Sequence, residues 1–342
     1  MTTTQLPSLR RRRFESIRIG ITGLALAFLA TSCVAPGAVS EGRRSPQIGS
    51  NDDYTVILSV AGDTYESLAS RHLGDRDAAW MLRQLNGSGD LEAGQVVIIP
   101  NRWPNPAGVT PGSYQIVPVL CYHDFSDNGL ELSVKPEVFR EQLSYLRDNG
   151  YRVVSLTDLM SFLKDGEPLP PKAVVITIDD GYRSTYHVAF PILREFGFPA
   201  TLFVYSDFLN KGGLTTKQMK EMLASSLIDI QPHSKSHRNM AALEAGEEID
   251  DYIERIKAEV EVPHEALEEL LDNEVYSFAF PYGATTTMVL DLVAENDYDI
   301  ALTVERGGNA FFQNPYLLKR SMIYRDHDIE RFKRELEVSI AY

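Results

Sequence analysis

Short apolar runs alternate with longer amphipathic segments over the C-terminal two thirds of the chain. The apolar runs are rich in β-branched residues and predict strands buried on both faces. They span residues 116–122, 174–178, 200–204, 228–231, 277–280 and 300–303. The amphipathic segments predict helices at residues 136–149, 156–163, 186–196, 216–225, 249–272 and 287–295. Such alternation predicts an α/β fold with a parallel sheet, either open or closed into a barrel.

Residues 53–100 carry a separate, compact pattern. A strand begins at Tyr54, the turn Gly62-Asp63-Thr64 starts a first helix, a second helix ends near Asn86, and a last strand ends at Pro100. This small βααβ unit, with its Leu91-Glu92-Ala93-Gly94-Gln95 turn, resembles a LysM domain. The resemblance implies binding to glycans that contain N-acetylglucosamine, and a spacer that does not bind glycan is the alternative. The proline-bearing residues 101–114 are predicted to be a linker.

The N-terminus has the pattern of a targeting segment. Arginines at positions 10–13 and 18 precede an apolar run over residues 19–30, which is short for a membrane span and typical of a signal-peptide core. The small residues before Cys33 resemble a bacterial lipoprotein cleavage site, although Ala30 stands where such sites usually have Leu. The resemblance implies a signal peptide over residues 1–32, lipidation of Cys33 and a tether over residues 33–52. An ordinary secretory signal and an uncleaved anchor stay open.

These features predict an exported protein, anchored by lipid in the bacterial envelope. Val34 follows Cys33 and no Asp stands there, which favours the outer membrane or the periplasmic face over the inner membrane by analogy with lipoprotein sorting. The formal charge of -15 argues against a nucleic-acid partner, since phosphate binding requires a basic face. With Cys33 lipidated, Cys121 has no disulfide partner, and its apolar surroundings predict a buried, inert thiol.

The predicted strand at 174–178 ends in two carboxylates, Asp179 and Asp180, followed by Gly181. In barrels of alternating strands and helices, the C-terminal ends of the strands carry the chemistry. Neighbouring residues of a strand point to opposite faces, but a turn at Gly181 lets both carboxylates face one cleft. An ordinary Asp-Gly turn is the alternative.

His233 and His237 directly follow the predicted strand at 228–231. Imidazoles four residues apart lie on one face of a helical turn and can share a metal ion. Two His and one carboxylate leave coordination positions open for water and substrate, so Zn is the default metal, while Co, Ni or Mn suit the same ligands. Two solvent-facing loop histidines are the alternative.

Pro281, Tyr282 and Gly283 follow the predicted strand at 277–280. Pro281 fixes φ and Gly283 permits a sharp turn, so the backbone N–H of Tyr282 is held in a defined direction. A fixed N–H is what an oxyanion stabiliser requires. A tight loop without a catalytic role is the alternative.

The three motifs, in this order, resemble the polysaccharide deacetylase family, carbohydrate esterase family 4. The resemblance covers roughly residues 115–335, and we assign residues 115–342 to this domain. It implies a distorted (β/α) barrel and metal-dependent removal of acetyl groups from N-acetylated sugars. It further implies that Asp179 is the general base and that the Tyr282 amide faces the oxyanion. The metal ligands that it implies are Asp180, His233 and His237.

The chain departs from the family pattern in two places. Ala279 stands where many members have an Arg that orients the catalytic Asp, and we hypothesise that Lys319 or Arg320 takes over this role. The late Leu-x-His that supplies the general acid in the family has no clean counterpart here. His327 and His123 are the alternatives, and the general acid stays unassigned.

The sequence therefore predicts an exported lipoprotein that deacetylates a glycan containing N-acetylglucosamine, either peptidoglycan or an exopolysaccharide. A LysM module on the same chain would raise the local concentration of the polymer. Two alternatives remain. One is a glycan-binding envelope lipoprotein with an inactive deacetylase-like barrel, and the other is a metal hydrolase of a different bond, such as a cell-wall peptide amidase.

Overall fold

The computed structural model describes residues 45–74, 76–101, 107, 109 and 113–337. The predicted signal peptide, Cys33 and most of the predicted tether lie outside these residues. Among the helices in the described ranges, none is both long enough and apolar enough to cross a membrane.

The first described unit is a three-stranded antiparallel sheet with two helices. Its elements are β1 (Gln47–Ser50), β2 (Tyr54–Leu58), α1 (Tyr65–His72), α2 (Ala79–Asn86) and β3 (Val96–Pro100), and the sheet order is β1-β2-β3. Thr64 caps α1, as expected from the Gly-Asp-Thr turn, because its side chain accepts a hydrogen bond from the Ser67 N–H. β1 lies within the segment interpreted as a tether. It was not predicted because an exposed edge strand has no apolar run.

The larger unit alternates strands and helices. In chain order its elements are β4 (Val117–Tyr122), α3 (Pro136–Asp148), β5 (Arg152–Val154), α4 (Leu156–Asp165), β6 (Ala173–Ile178), α5 (Phe190–Phe196), β7 (Ala200–Val204), α6 (Thr216–Leu223), β8 (Ile228–Pro232), α7 (Ile249–Leu271), β9 (Ser277–Ala279), α8 (Thr287–Glu295), β10 (Ile300–Leu302), β11 (Gly308–Asn309), β12 (Ser321–Met322) and α9 (Ile329–Leu336). A π-helical turn, Thr185–Ala189, precedes α5. The six predicted strands and six predicted helices are confirmed, and most of their bounds shift by no more than a few residues. The exception is α5, where the π-helical turn replaces the start of the predicted helix.

The described strands of this unit form a seven-stranded sheet and a separate two-stranded sheet. β4, β6, β7 and β8 are parallel neighbours, β5 pairs with β6, and β12 pairs with the other edge of β4. β9 and β10 form a separate parallel pair, and β11 is antiparallel to β4. β4 and β6 are buried along their whole length, as their unbroken apolar runs predict. The result is a mixed α/β fold.

The gap between β8 and β9 is bridged by a side chain. The Gln231 side-chain oxygen accepts hydrogen bonds from the N–H groups of Tyr276 and Ser277 at 3.0 and 3.1 Å, and its amide nitrogen donates to the Glu274 carbonyl at 3.0 Å. Gln231 is fully buried, so an unpaired amide there would be costly. It therefore joins the C-terminal end of β8 to the start of β9, the strand that leads into the Pro281–Gly283 turn.

Candidate active site

Asp179 and Asp180 face the same cleft, as the turn at Gly181 predicts. Asp180 has φ 74° and Gly181 has φ 76°, so the chain turns through the left-handed region as soon as β6 ends. A Cβ at Gly181 would lie 2.9 Å from Cγ1 of Val204, which leaves room for glycine only. The His233 Nε2 atom lies 3.7 Å from a carboxylate oxygen of each aspartate. Both carboxylates therefore reach one point at the C-terminal edge of the sheet.

His233 and His237 are brought together by an irregular loop, so the predicted helical turn is wrong. Ser234 and His237 have left-handed backbones, with φ 70° and 60°, and these reversals fold the loop back on itself. The Ser234 hydroxyl accepts a hydrogen bond from the His237 N–H at 2.9 Å, and the two imidazole centroids are 4.9 Å apart. Left-handed non-glycine residues cost free energy and gather at functional sites.

Asp180, His233 and His237 fit a divalent metal ion. The Asp180 Oδ1 atom lies 3.2 Å from the His237 Nε2 atom and 3.7 Å from the His233 Nε2 atom, and it makes no hydrogen bond within the described residues. Tetrahedral ligands about 2.1 Å from a zinc ion would lie about 3.4 Å from one another. The spacing and the unsatisfied oxygen therefore suit one shared ion.

His233 is prepared to act as a ligand through its Nε2 atom. Its Nδ1 atom lies 2.8 Å from the Ala279 carbonyl, so Nδ1 carries the proton and donates it there. Burial lowers the pKa of His233 to about 4, against the opposing effect of Asp179 and Asp180. The ring is therefore neutral near pH 7, as metal coordination requires.

Arg320 is the residue that orients Asp179. Its Nη1 and Nη2 atoms donate to the two oxygens of Asp179 at 2.7 and 2.8 Å, and its Nε atom donates to the Thr303 carbonyl at 2.8 Å. Burial alone would raise the pKa of Asp179, but the Arg320 guanidinium together with His233 and His123 holds that pKa well below its usual range. Lys319, the other residue considered from the sequence, instead pairs with Glu305 at 2.8 Å.

The Pro281–Gly283 turn lies against the histidine loop. Tyr282 has φ 59° and ψ 9°, and its ring centroid is 4.8 Å from that of His237. Gly283 has φ 65°, and a Cβ there would lie 2.6 Å from the backbone nitrogen of Val304. Because backbone cannot give way as a flexible side chain can, this turn requires glycine. The role of the Tyr282 N–H as an oxyanion donor stays a prediction.

His123 lies beside the carboxylates, at the end of β4. It is buried, its Nδ1 atom has no partner within the described residues, and it lines a 360 Å³ cavity together with Asp180 and Tyr182. Burial and then the Asp180 charge raise the pKa of Tyr182 to about 12, so this phenol stays neutral. His327 lies before α9 with its ring 5.2 Å from Tyr324, and it does not line this cavity.

Cys121, His123 and Asp179 also lie close enough together to suggest a second metal site. Both oxygens of Asp179 are already bonded to the Arg320 cation, which would repel a metal ion. Burial raises the pKa of the Cys121 thiol well above its usual value, so the thiolate that metals prefer is disfavoured. The sequence-based interpretation of Cys121 as a buried free cysteine is confirmed.

Comparisons with known proteins show what the part of the chain that contains this site is similar to. Residues 166–301 match the family model for polysaccharide deacetylases. The poly-beta-1,6-N-acetyl-D-glucosamine N-deacetylase of Escherichia coli K12 is 28% identical over 226 residues, covering 55% of this chain. The chain spans only 34% of the length of that relative.

Two solved structures share the fold. A Streptococcus pyogenes deacetylase in complex with acetate aligns with TM-score 0.59 and 24% identity, over 66% of this chain and 100% of its own. IcaB from Ammonifex degensii aligns with TM-score 0.58 and 24% identity, over 65% of this chain and 95% of its own. The family match contains Asp179, Asp180, His233, His237 and Tyr282, whereas Arg320 lies beyond it. Residues 166–301 are therefore similar to a polysaccharide deacetylase domain.

Proposed function

We propose that this domain removes N-acetyl groups from a polysaccharide that contains N-acetylglucosamine, either peptidoglycan or an exopolysaccharide. The observation that carries the proposal is the cluster of Asp180, His233 and His237 beside Asp179, which Arg320 holds in place. The name of the Escherichia coli relative supports this bond and this class of substrate.

Asp180, His233 and His237 would hold the metal ion, with Zn the default and Co, Ni or Mn as alternatives. The bound ion would polarise the amide carbonyl and lower the pKa of a water molecule. Asp179, kept ionised by Arg320, accepts the proton of the attacking water as general base.

Two further groups would complete the reaction. The backbone N–H of Tyr282, fixed by the turn around it, donates a hydrogen bond to the developing oxyanion. The leaving amine needs a proton, and we assign its delivery to protonated His123, because this residue lines the cavity beside Asp180 and His327 does not. Burial lowers the pKa of His123, so the ring must first take up a proton from solvent.

The rest of the chain would place the enzyme at its polymer. We propose that the unit at residues 53–100 is a LysM domain that binds the glycan, which its two helices against an antiparallel sheet support. We further propose that Cys33 is lipidated and anchors the protein in the bacterial envelope, at the outer membrane or the periplasmic face. The proposal that Cys33 is lipidated rests only on the sequence before it.

The alternative function is that of a glycan-binding lipoprotein with an inactive barrel. Its main support was Ala279, which stands where many family members have the Arg that orients the catalytic Asp. The bidentate contact between Arg320 and Asp179 weakens it, because an Arg from another part of the barrel occupies the orienting position. The catalytic carboxylate is therefore not left unpaired by the change at Ala279.

Acetate release from N-acetylglucosamine oligomers tests the proposal. We expect acetate from the wild-type protein with added Zn, and none after chelation or in the Asp179→Asn variant, which removes the base while keeping the size of the side chain. Failure of folded, metal-loaded protein to release acetate from oligomers, peptidoglycan or poly-N-acetylglucosamine would instead support the glycan-binding alternative.

A further inference from the structure

A buried carboxylate outside the three motifs contacts the loop that carries both histidines. Glu259 lies in α7 and is 2% exposed. Its Oε2 atom accepts a hydrogen bond from the Ser236 N–H at 2.8 Å, and its Oε1 atom accepts one from the Ser236 hydroxyl. Both oxygens of this carboxylate are thus directed at the residue that immediately precedes His237.

The histidine loop needs such support because it has no regular backbone pairing of its own. Its backbone reverses at Ser234 and His237, both left-handed. On one side, the N–H groups of Ser206 and Asp207 donate to the carbonyls of Ser234 and Lys235 at 3.2 and 2.8 Å. Ser236, which lies between Lys235 and His237, is instead held by its hydrogen bonds to Glu259.

We propose that Glu259 is a positioning residue that sets the metal affinity of the site by fixing His237. The inference rests on the proposed metal-dependent function, because it assumes that Asp180, His233 and His237 bind an ion. One hydrogen bond holds the Ser236 backbone N–H and the other holds its hydroxyl, and the direction of the adjacent His237 imidazole follows from that backbone. Removing groups that orient metal ligands typically lowers metal affinity about 10–100-fold.

The test measures Zn affinity by competition with a chromophoric chelator, which requires no turnover. We expect the Glu259→Ala variant to bind Zn at least about 10-fold more weakly than wild type. Glu259→Gln keeps one acceptor oxygen and should restore part of the affinity. Glu261→Ala is the matched control, since Glu261 is an exposed glutamate on the same helix and should leave the affinity unchanged.

Hydrogen exchange gives a second readout, on the metal-free protein. The Ser236 amide should exchange faster in Glu259→Ala than in Glu261→Ala, because its acceptor is gone. Unchanged Zn affinity in a folded Glu259→Ala variant would overturn the proposal. If that variant does not fold, Glu259→Gln and Ser236→Ala decide: weaker Zn binding by either supports the proposal, and wild-type binding by both overturns it.

These outcomes separate the inference from the function beneath it. A wild-type protein that binds no Zn would contradict the metal site itself. A wild-type protein that binds Zn and releases acetate, beside a Glu259→Ala variant that binds Zn equally well, would contradict only the role of Glu259.

Discussion

At the scale of single residues, the site depends on one buried ion pair. Asp179 and Arg320 are both inaccessible to solvent and bond through two parallel hydrogen bonds. Such a pair adds little stability compared with an apolar pair, but removing one partner leaves an uncompensated buried charge. The geometry also fixes the direction of the Asp179 carboxylate, which a general base requires.

Replacing Arg320 by Ala should therefore lower the free energy of unfolding by about 3–5 kcal/mol. Arg320→Lys keeps the charge but cannot form both parallel bonds, so Asp179 would be misplaced and kcat should fall by about 10²-fold even where the protein folds. Denaturant unfolding and acetate release measure the two effects.

Lys319→Ala is the control for this prediction. The Lys319–Glu305 pair is largely exposed, so its loss should cost no more than about 1 kcal/mol and leave turnover unchanged. Full turnover in a variant that lacks both basic residues would show that neither orients Asp179.

At the scale of elements, hydrophobic pattern located the strands and helices well, because buried parallel strands are continuous apolar runs. The elements that it missed are β1, β5, β11, β12 and α9. The missed strands have only two to four residues, and β11 and β12 pair with β4, which is distant in sequence, so periodicity does not report them. The eight-residue α9 is strongly amphipathic, but the last predicted helix ended at residue 295.

The residues of the candidate site, like the main strands and helices, were largely predictable from the sequence. Motif spacing identified Asp179, Asp180, His233 and His237, and the structure brings these four together. The histidine loop was expected to be helical because a spacing of four residues fits a helical turn as well as it fits an irregular loop. Spacing gives no sign of left-handed backbones. The choice of Arg320 over Lys319 needed the structure, since side-chain direction at a strand end depends on packing.

The turn after β9 gives a prediction with a matched control. Gly283→Ala should destabilise the protein and lower kcat, because the new Cβ would displace the backbone of Val304 and with it the Tyr282 N–H. Gly197→Ala shares a left-handed φ, 68°, but has open space around its Cβ position, so only the backbone strain of about 1–2 kcal/mol applies.

Thermal unfolding and kcat would be compared for the two variants. A larger loss of both thermal stability and kcat in Gly283→Ala would support the role of this turn in fixing the Tyr282 N–H for catalysis. Equal losses of stability, with normal turnover in both variants, would contradict the assigned role of the Tyr282 N–H.

At the scale of the whole molecule, the α/β fold assembles a site from strands that are far apart in the chain. His123 follows β4, the aspartates follow β6, the histidines follow β8 and Arg320 precedes β12. Because a metal ion would join β6 to β8 through its ligands, its binding should stabilise the folded chain as a whole.

Zn at about 100 times its dissociation constant should raise the free energy of unfolding by about 2.7 kcal/mol. The stabilisation should disappear in a His237→Ala variant, which removes a partly exposed ligand. Differential scanning calorimetry with and without Zn measures this directly. Equal stabilisation of both proteins would show that Zn binds elsewhere.

Mass spectrometry of the products shows whether this site hydrolyses the N-acetyl bond, as proposed. An N-acetylglucosamine oligomer incubated with Zn-loaded protein should lose acetyl groups one at a time while its number of sugar units stays unchanged, and Asp179→Asn should leave it intact. Shorter oligomers, or an untouched oligomer together with cleaved peptides from peptidoglycan, would contradict the account and assign the site to a different bond.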